Sequence, residues 1–383
     1  MVSNILFNAL GIQDSGGITV LNLALKEFQK TKKYRVHLFL YKNVNTIQLC
    51  EEYIQSSQYN ISYVTYKNLL YRIFYENLYF PYYCRTQNID IVYNFSGLAQ
   101  LFMKNKQLVK IQNLRFYSKA LDQMYYHKKE YFHWLKQIYS KRLILLFMLR
   151  SIKNYELQSS HVENNLSDYL RMDTTRVFIK SDILINEELI SCPREYSRNK
   201  MLTILFIVGP HFETLHKNID DFLIAMYELS KTDVDYRIKI TIDKKDLEKH
   251  EHWNDTIDSK IEYLGYLPSC QIKDLFQDNS ILISTSIIET IGLHVIESII
   301  NGVVPIVPAL KYSYCVYGKD VPTYMVSDPN SLVSKILNIH SLSDTQVKQI
   351  ICENQQYIVN NERSKHKSVV EIIDIMIKES QYV

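Results

Sequence analysis

The sequence predicts two tandem α/β domains, each a parallel sheet wound with helices, with a cleft between the carboxyl ends of the two sheets. Three observations lead there. Short apolar runs alternate with helical spacing through the first third of the 383 residues, the alternation restarts at Met201, and a polar stretch containing Pro193 separates the halves.

Taken in order, Asn4 to Ala9 reads as the first strand, followed by the polar turn Gln13-Asp14-Ser15-Gly16-Gly17. Ile18 to Lys30 has helical spacing, and Arg35 to Tyr41 reads as a second strand. Ile61 to Val64, Ile89 to Tyr93 and Leu108 to Ile111 read as further strands with helical stretches between them. In the second half, strands are expected at Met201 to Val208, Tyr236 to Ile242, Ile261 to Leu264, Ser280 to Ser284 and Val303 to Val307. Helices are expected over Asn218 to Ser230, from Gln271 and from Gly292. A last helix, Ser364 to Ser380, places Val369, Ile372, Ile373 and Met376 on one face. The expected organisation is a Rossmann-like domain over 1–190, a second over 191–362, and a helix over 363–383 that packs back on the first. Asn186 to Lys200 is the expected linker.

Composition excludes several classes. Hydrophobic residues at 46% and charged residues at 22% fit a globular protein, and a net charge of +3 is too mild to argue for nucleic acid. The longest apolar run, Leu143 to Leu149, is far short of the ~20 residues that span a bilayer. The amino terminus has no basic segment of a secretion signal, so a cytoplasmic chain is expected, peripheral on the inner face of the cell membrane. Six cysteines without a CxxC pair indicate reduced thiols rather than a zinc site or a disulfide framework. With 9 glycines against the roughly 27 that average usage would give, each glycine is worth individual scrutiny.

The most informative segment is Ser284 to Pro308. A buried strand ends at Ser284, a loop carries Glu289, and Gly292 opens a helix bearing Glu297. A helix start offers free amides and the positive end of the dipole, which suits a phosphate. A carboxylate just inside the helix suits vicinal hydroxyls. The residues alone leave a plainer account open, an exposed loop acid and a solvated helix acid.

This segment resembles the E-x7-E signature of the retaining GT-B glycosyltransferases of glycosyltransferase family 4. Asn301-Gly302-Val303-Val304-Pro305 is similar to their A-x-G-x-P-V, with the proline one residue late. The resemblance implies that Glu289 contacts the donor sugar, that the Thr290, Ile291, Gly292 and Leu293 backbone holds the diphosphate, and that Glu297 binds the ribose. Gly209 followed by Leu215-His216-Lys217-Asn218 resembles the family's first turn of the second domain, which implies that Lys217 reaches the leaving diphosphate. Pro210 and His211 stand where relatives often have Arg, so Lys180 or Arg115 becomes a candidate second cation. Leu264-Gly265-Tyr266-Leu267-Pro268 resembles the segment near the nucleotide base. Gly16 and Gly17 resemble the family's glycine-rich loop near the donor, and Gln112-Asn113 its polar pair on the acceptor side, with the frequent His absent. Asn113 and Arg115 are thus the expected acceptor-side residues. No metal and no cofactor beyond the nucleotide-sugar co-substrate is expected, since no His, Cys or carboxylate set clusters in sequence. Asp233-Val234-Asp235 precedes a strand and reads as a turn.

The implied activity is retaining transfer of a sugar from a nucleotide sugar to a glycan acceptor, lipid-linked, in surface polysaccharide synthesis. The alternatives are a sugar-nucleotide epimerase of the same fold and a non-catalytic sugar-nucleotide- or glycan-binding protein. From Arg115 to Lys153 nine Lys or Arg stand against Asp122 and Glu130, interleaved with aromatics. Such a stretch suits either an anionic membrane surface or a solvated helix face with buried aromatics.

Overall fold

Strands covered on both faces must be apolar nearly throughout, and SILI at 280–283 and VPIVP at 304–308 meet that condition with every residue buried. The computed structural model describes residues 2–13, 15–171, 175–180, 182, 190–197, 199–209, 212–363 and 367–378. The chain forms two α/β units, each with its own parallel sheet.

The first unit comprises Met1–Tyr117, Phe132–Asp182 and Lys365–Val383. Its strands are β1 (Ser3–Ala9), β2 (Tyr34–Tyr41), β3 (Tyr59–Val64), β4 (Ile91–Asn94), β5 (Lys106–Ile111), β6 (Asn154–Leu157) and β7 (Arg176–Ile179), in the order β3-β2-β1-β4-β5-β6-β7. Every neighbouring pair is parallel. Alternation along the strands sorts the side chains between two helical layers. On one side Phe7 meets Tyr93 of β4 and Phe28 of helix Ser15–Thr31. Leu6 and Val92 pack with Phe80 and Cys84 of helix Leu69–Thr86 on the other. Register places Tyr93, Leu108 and Asn154 on a common side, so Tyr155 faces the second layer. There its hydroxyl donates to the Leu149 carbonyl, at the end of helix Ser140–Leu149. Helix Val369–Lys378 packs on helix Ser15–Thr31, burying Val369, Ile372, Ile373 and Met376, while the Val369 amide donates to Glu27 Oε2 at 2.6 Å.

The second unit comprises Ser118–Tyr131 and Ile183–Ser364. Its strands are β8 (Leu202–Phe206), β9 (Tyr236–Ile240), β10 (Ile261–Tyr263), β11 (Ser280–Ile283), β12 (Val304–Pro308) and β13 (Thr323–Tyr324), in the order β10-β9-β8-β11-β12-β13. Helix Lys119–His127, which comes between β5 and β6 in the chain, belongs to this unit and packs on the short 3₁₀ turn Leu215–Lys217.

Between 112 and 200 the sequence pattern indicated no strand, yet β6 and β7 lie there. β6 hides its signal because Glu156, fully buried, sits in it. That carboxylate is bonded by Lys110 of β5 and accepts from Tyr93 Oη at 2.7 Å. Lys110 also donates to Asp182 at 2.6 Å, and Lys180 pairs with Glu27 at 3.0 Å. A charge in a central strand therefore reads as surface until its partners, brought from distant strands, are seen.

Candidate functional site

The site in the second unit starts from two loops after adjacent strands, one following β8 and one following β11. They are laced together by hydrogen bonds. Thr285 Oγ1 donates to the Lys217 carbonyl at 2.7 Å, and the Ile287 amide donates to the His216 carbonyl at 2.8 Å. Tyr312 Oη closes the far side by donating to the Ser286 carbonyl. Asn218, in a left-handed conformation with φ of 48°, ends the 3₁₀ turn and starts helix Ile219–Leu229. This bracing fixes Lys217 over the second loop, where its Nζ donates to Glu289 Oε1 at 2.7 Å.

Electrostatics follow from that pair. Burial alone would raise the Glu289 carboxyl, but the charges of Lys217, His294 and His216 outweigh it and hold it at about 2. His294 lies on the first turn of helix Leu293–Ile300, with Nε2 3.1 Å from Ser284 Oγ. Burial pushes its imidazole down to about 4, so it is neutral at neutral pH. At that pH the Glu289 carboxylate faces the Lys217 ammonium, with the His294 imidazole neutral beside them. A negatively charged ligand entering it would compete with Glu289 for Lys217.

Gly292 caps the helix with φ of 57°, in the left-handed region that favours glycine. A side chain there would also collide with Tyr317 Oη, a fully buried hydroxyl without a hydrogen-bond partner among the described residues. The Val295 and Ile296 amides already donate to the Gly292 carbonyl, at 2.9 and 3.3 Å, so the helix-start amides that helical geometry leaves without an internal acceptor are those of Leu293 and His294. Ile291 is buried in the core and Leu293 packs against it, which anchors the helix start on both sides. Glu297 lies a turn further on and is half-buried; burial raises its carboxyl to about 7, with Lys273 opposing.

The structure brings Lys217, Glu289, Thr290, Ile291, Gly292, Leu293 and Glu297 into one neighbourhood. Gly209 follows β8 on the exposed surface, with open space where a side chain would be. Pro210 and His211 lie outside the described residues, as does Asp14. Gly302 has a packing reason for being glycine: a Cβ would lie 2.5 Å from the Cys192 carbonyl oxygen and 2.9 Å from the Arg194 amide. His294, Ser284 and Tyr317 were missed by sequence reasoning. His294 stands inside the Ser284 to Pro308 segment and was legible there; Tyr317 reaches the site only through folding.

In the first unit, Gly16 and Gly17 are not a loop but the first turn of helix Ser15–Thr31, because the helix begins before them. Their amides are therefore helix-start amides. The Asn113 side chain accepts from the Arg115 amide at 2.9 Å and caps the turn Leu114–Phe116. Gln112 Nε2 and Arg115 Nε, beyond the carboxyl end of β5, are buried and without hydrogen-bond partners among the described residues. Lys180 is no spare cation, since Glu27 and Asp182 hold it in the interior.

The 115–153 stretch also sorts itself. Arg142 is buried, its Nε donating to the Phe116 carbonyl at 2.6 Å and its guanidinium lying over Tyr169. Lys128 pairs with Asp220, which also sits 3.1 Å from His250 Nε2. Those two partners, His250 first, hold the Asp220 carboxyl well below the usual carboxylate range. Asp220, Glu251 and His252 place their ligand atoms within 4.8 Å of one another, a cation-compatible group that sequence spacing concealed.

Residues 194–365 match the family model described as "Glycosyl transferases group 1". No curated protein matches the chain in sequence. Among solved structures, the sucrose-phosphate synthase of Thermosynechococcus elongatus is 12% identical with a TM-score of 0.67, covering 99% of this chain and 99% of its own. The lipopolysaccharide outer core galactosyltransferase WaaB is 14% identical with a TM-score of 0.62, covering 92% of this chain and 95% of its own. A UDP-N-acetylglucosamine 2-epimerase of Listeria monocytogenes, described as putative, is 11% identical with a TM-score of 0.54, covering 92% and 91%. At these identities the likeness is one of fold, and the fold is shared by transferases and an epimerase alike.

Proposed function

We propose that the chain transfers a sugar from a nucleotide-sugar donor to a glycan acceptor, with retention of configuration, in surface polysaccharide synthesis, the acceptor being lipid-linked. The observation that carries this reading is the 2.7 Å Lys217–Glu289 pair beside the helix opened by Gly292. The family match over 194–365 supports it.

In this reading the donor diphosphate takes Lys217 from Glu289 and rests on the amides of Thr290 to Leu293. Glu289, released but still ionised, accepts from sugar hydroxyls, and Glu297 accepts from the ribose. As the anomeric C–O bond breaks, charge grows on the diphosphate, where the ammonium and the helix amides are already in place. The acceptor hydroxyl attacks from the face the diphosphate leaves and gives that group its proton. Gly16, Gly17 and Gly209 are assigned to the donor, and Asn113 and Arg115 to the acceptor. Because Lys217 and the amides supply the neutralisation, the reaction needs no metal ion, and chelator should leave its rate unchanged.

Transfer from UDP-, GDP-, dTDP- and CMP-sugars to glycan acceptors tests this. Glu289→Gln and Lys217→Ala should each lower kcat by roughly 10²–10³-fold. Unchanged rates would overturn the assignment. Sugar-nucleotide turnover without acceptor would favour the epimerase, and nucleotide binding without any turnover a binding protein.

A further inference from the structure

Two helical segments of the first unit expose apolar stripes where a water-soluble surface would be polar. On helix Leu69–Thr86, Phe74, Leu78 and Tyr82 are 65%, 68% and 64% exposed and recur every four residues. Within the helical run 131–149, Phe132, Leu143 and Phe147 are 72%, 51% and 58% exposed, on the face opposite the buried Ile138, Arg142, Leu145 and Leu149. Both helices lie on the same side of the seven-stranded sheet. Leu6 and Val92 meet the first, and Tyr155, on that side by register, bonds the end of the second.

The exposed charge within these two segments has one sign. Residues 69–86 contain one acid, Glu76, which is fully buried against Arg72, and 131–153 contain none. Exposed cations flank both stripes: Lys67 and Arg85 beside the first, Lys136, Arg150 and Lys153 along and after the second. No described helix is long and apolar enough to cross a membrane. Apolar and aromatic side chains set among cations, with no exposed carboxylate within 69–86 or 131–153, complement the headgroups and upper acyl region of an anionic bilayer. A second copy of the chain fits worse, since a two-fold contact would press like-charged rims together.

We infer that this face of the first unit, built from helix Leu69–Thr86 and the 132–149 run, is a docking surface for an anionic lipid membrane. The surface is separate from the donor chemistry. Vesicle binding is read without any substrate, so loss of sugar transfer would leave it standing, and the reverse holds too.

The test is co-sedimentation of the full chain with phosphatidylcholine vesicles and with phosphatidylcholine–phosphatidylglycerol vesicles. Binding should be confined largely to the mixed vesicles and should weaken as salt is added. Lys136→Glu and Arg150→Glu should each cost roughly fivefold or more. The triple variants Phe74→Ser/Leu78→Ser/Tyr82→Ser and Phe132→Ser/Leu143→Ser/Phe147→Ser should abolish it while keeping the wild-type circular dichroism and melting curve, since all six side chains are exposed. Wild type left in the supernatant would overturn the inference, as would binding that the triple variants do not alter. A wild-type dimer that these variants turn into monomers would assign the face to self-association instead.

Discussion

A single contact, Lys217 to Glu289, decides how the candidate site greets a ligand. The pair neutralises itself, and an anionic ligand that drew the ammonium away would free the carboxylate. Around it, Gly292 is the least replaceable residue. Gly292→Ala meets two costs, left-handed backbone strain and collision with Tyr317 Oη. A double-mutant cycle separates them: adding Tyr317→Phe should recover the collision share of the lost melting temperature and leave the strain share. Glu297 supplies a pH signature. Its folded value of about 7 lies above the ordinary 4.5, so the folded state holds a proton that the unfolded state has lost. Stability from this group is complete below 4.5 and falls as pH rises through 7. Glu297→Gln should therefore melt higher than wild type above pH 7, with the gap closing toward pH 4.5. Glu289 and Glu297 were legible because their spacing and the glycine between them are local. His294 and Tyr317 gained their meaning from burial beside Glu289 and Gly292, which spacing does not encode.

At the scale of elements, apolar strands and amphipathic helices announced themselves, and charged ones did not. Val369, Ile372, Ile373 and Met376 form a readable stripe, and the helix buries it against helix Ser15–Thr31. Ile373→Ala should cost about 2–5 kcal/mol of unfolding free energy in urea titrations. β6 escaped because Glu156 is tolerable in a central strand only with Lys110 beside it. Lys110→Met would leave Glu156 and Asp182 buried with their shared cation gone, at a cost of roughly 3–5 kcal/mol. That penalty should shrink on acidification, as the stranded carboxylates take up protons; equal losses at neutral and acidic pH would count against the network. Helix Leu69–Thr86 shows the converse: its apolar residues surround it, and only packing separates the buried Phe80 from the exposed Phe74.

For the whole molecule, each unit owns a complete sheet and core, so calorimetric unfolding should resolve two transitions. Ile373→Ala should lower only one of them, and a nucleoside diphosphate held by the second unit should raise the other. The sequence by itself determined the two α/β halves, the strand-loop-helix around Glu289, and the apolar stripe of the last helix. Each of these is a local pattern, and hydrophobic period and turn chemistry act over a few residues. Tertiary structure alone decided that Ser118–Tyr131 joins the second unit, that Lys180 and Arg142 are interior, that Tyr317 stands under Gly292, and that two apolar stripes share one side of a sheet. Those outcomes depend on which distant groups meet, and a charge or an aromatic ring reads the same in sequence whether its partner is water or a residue from another strand.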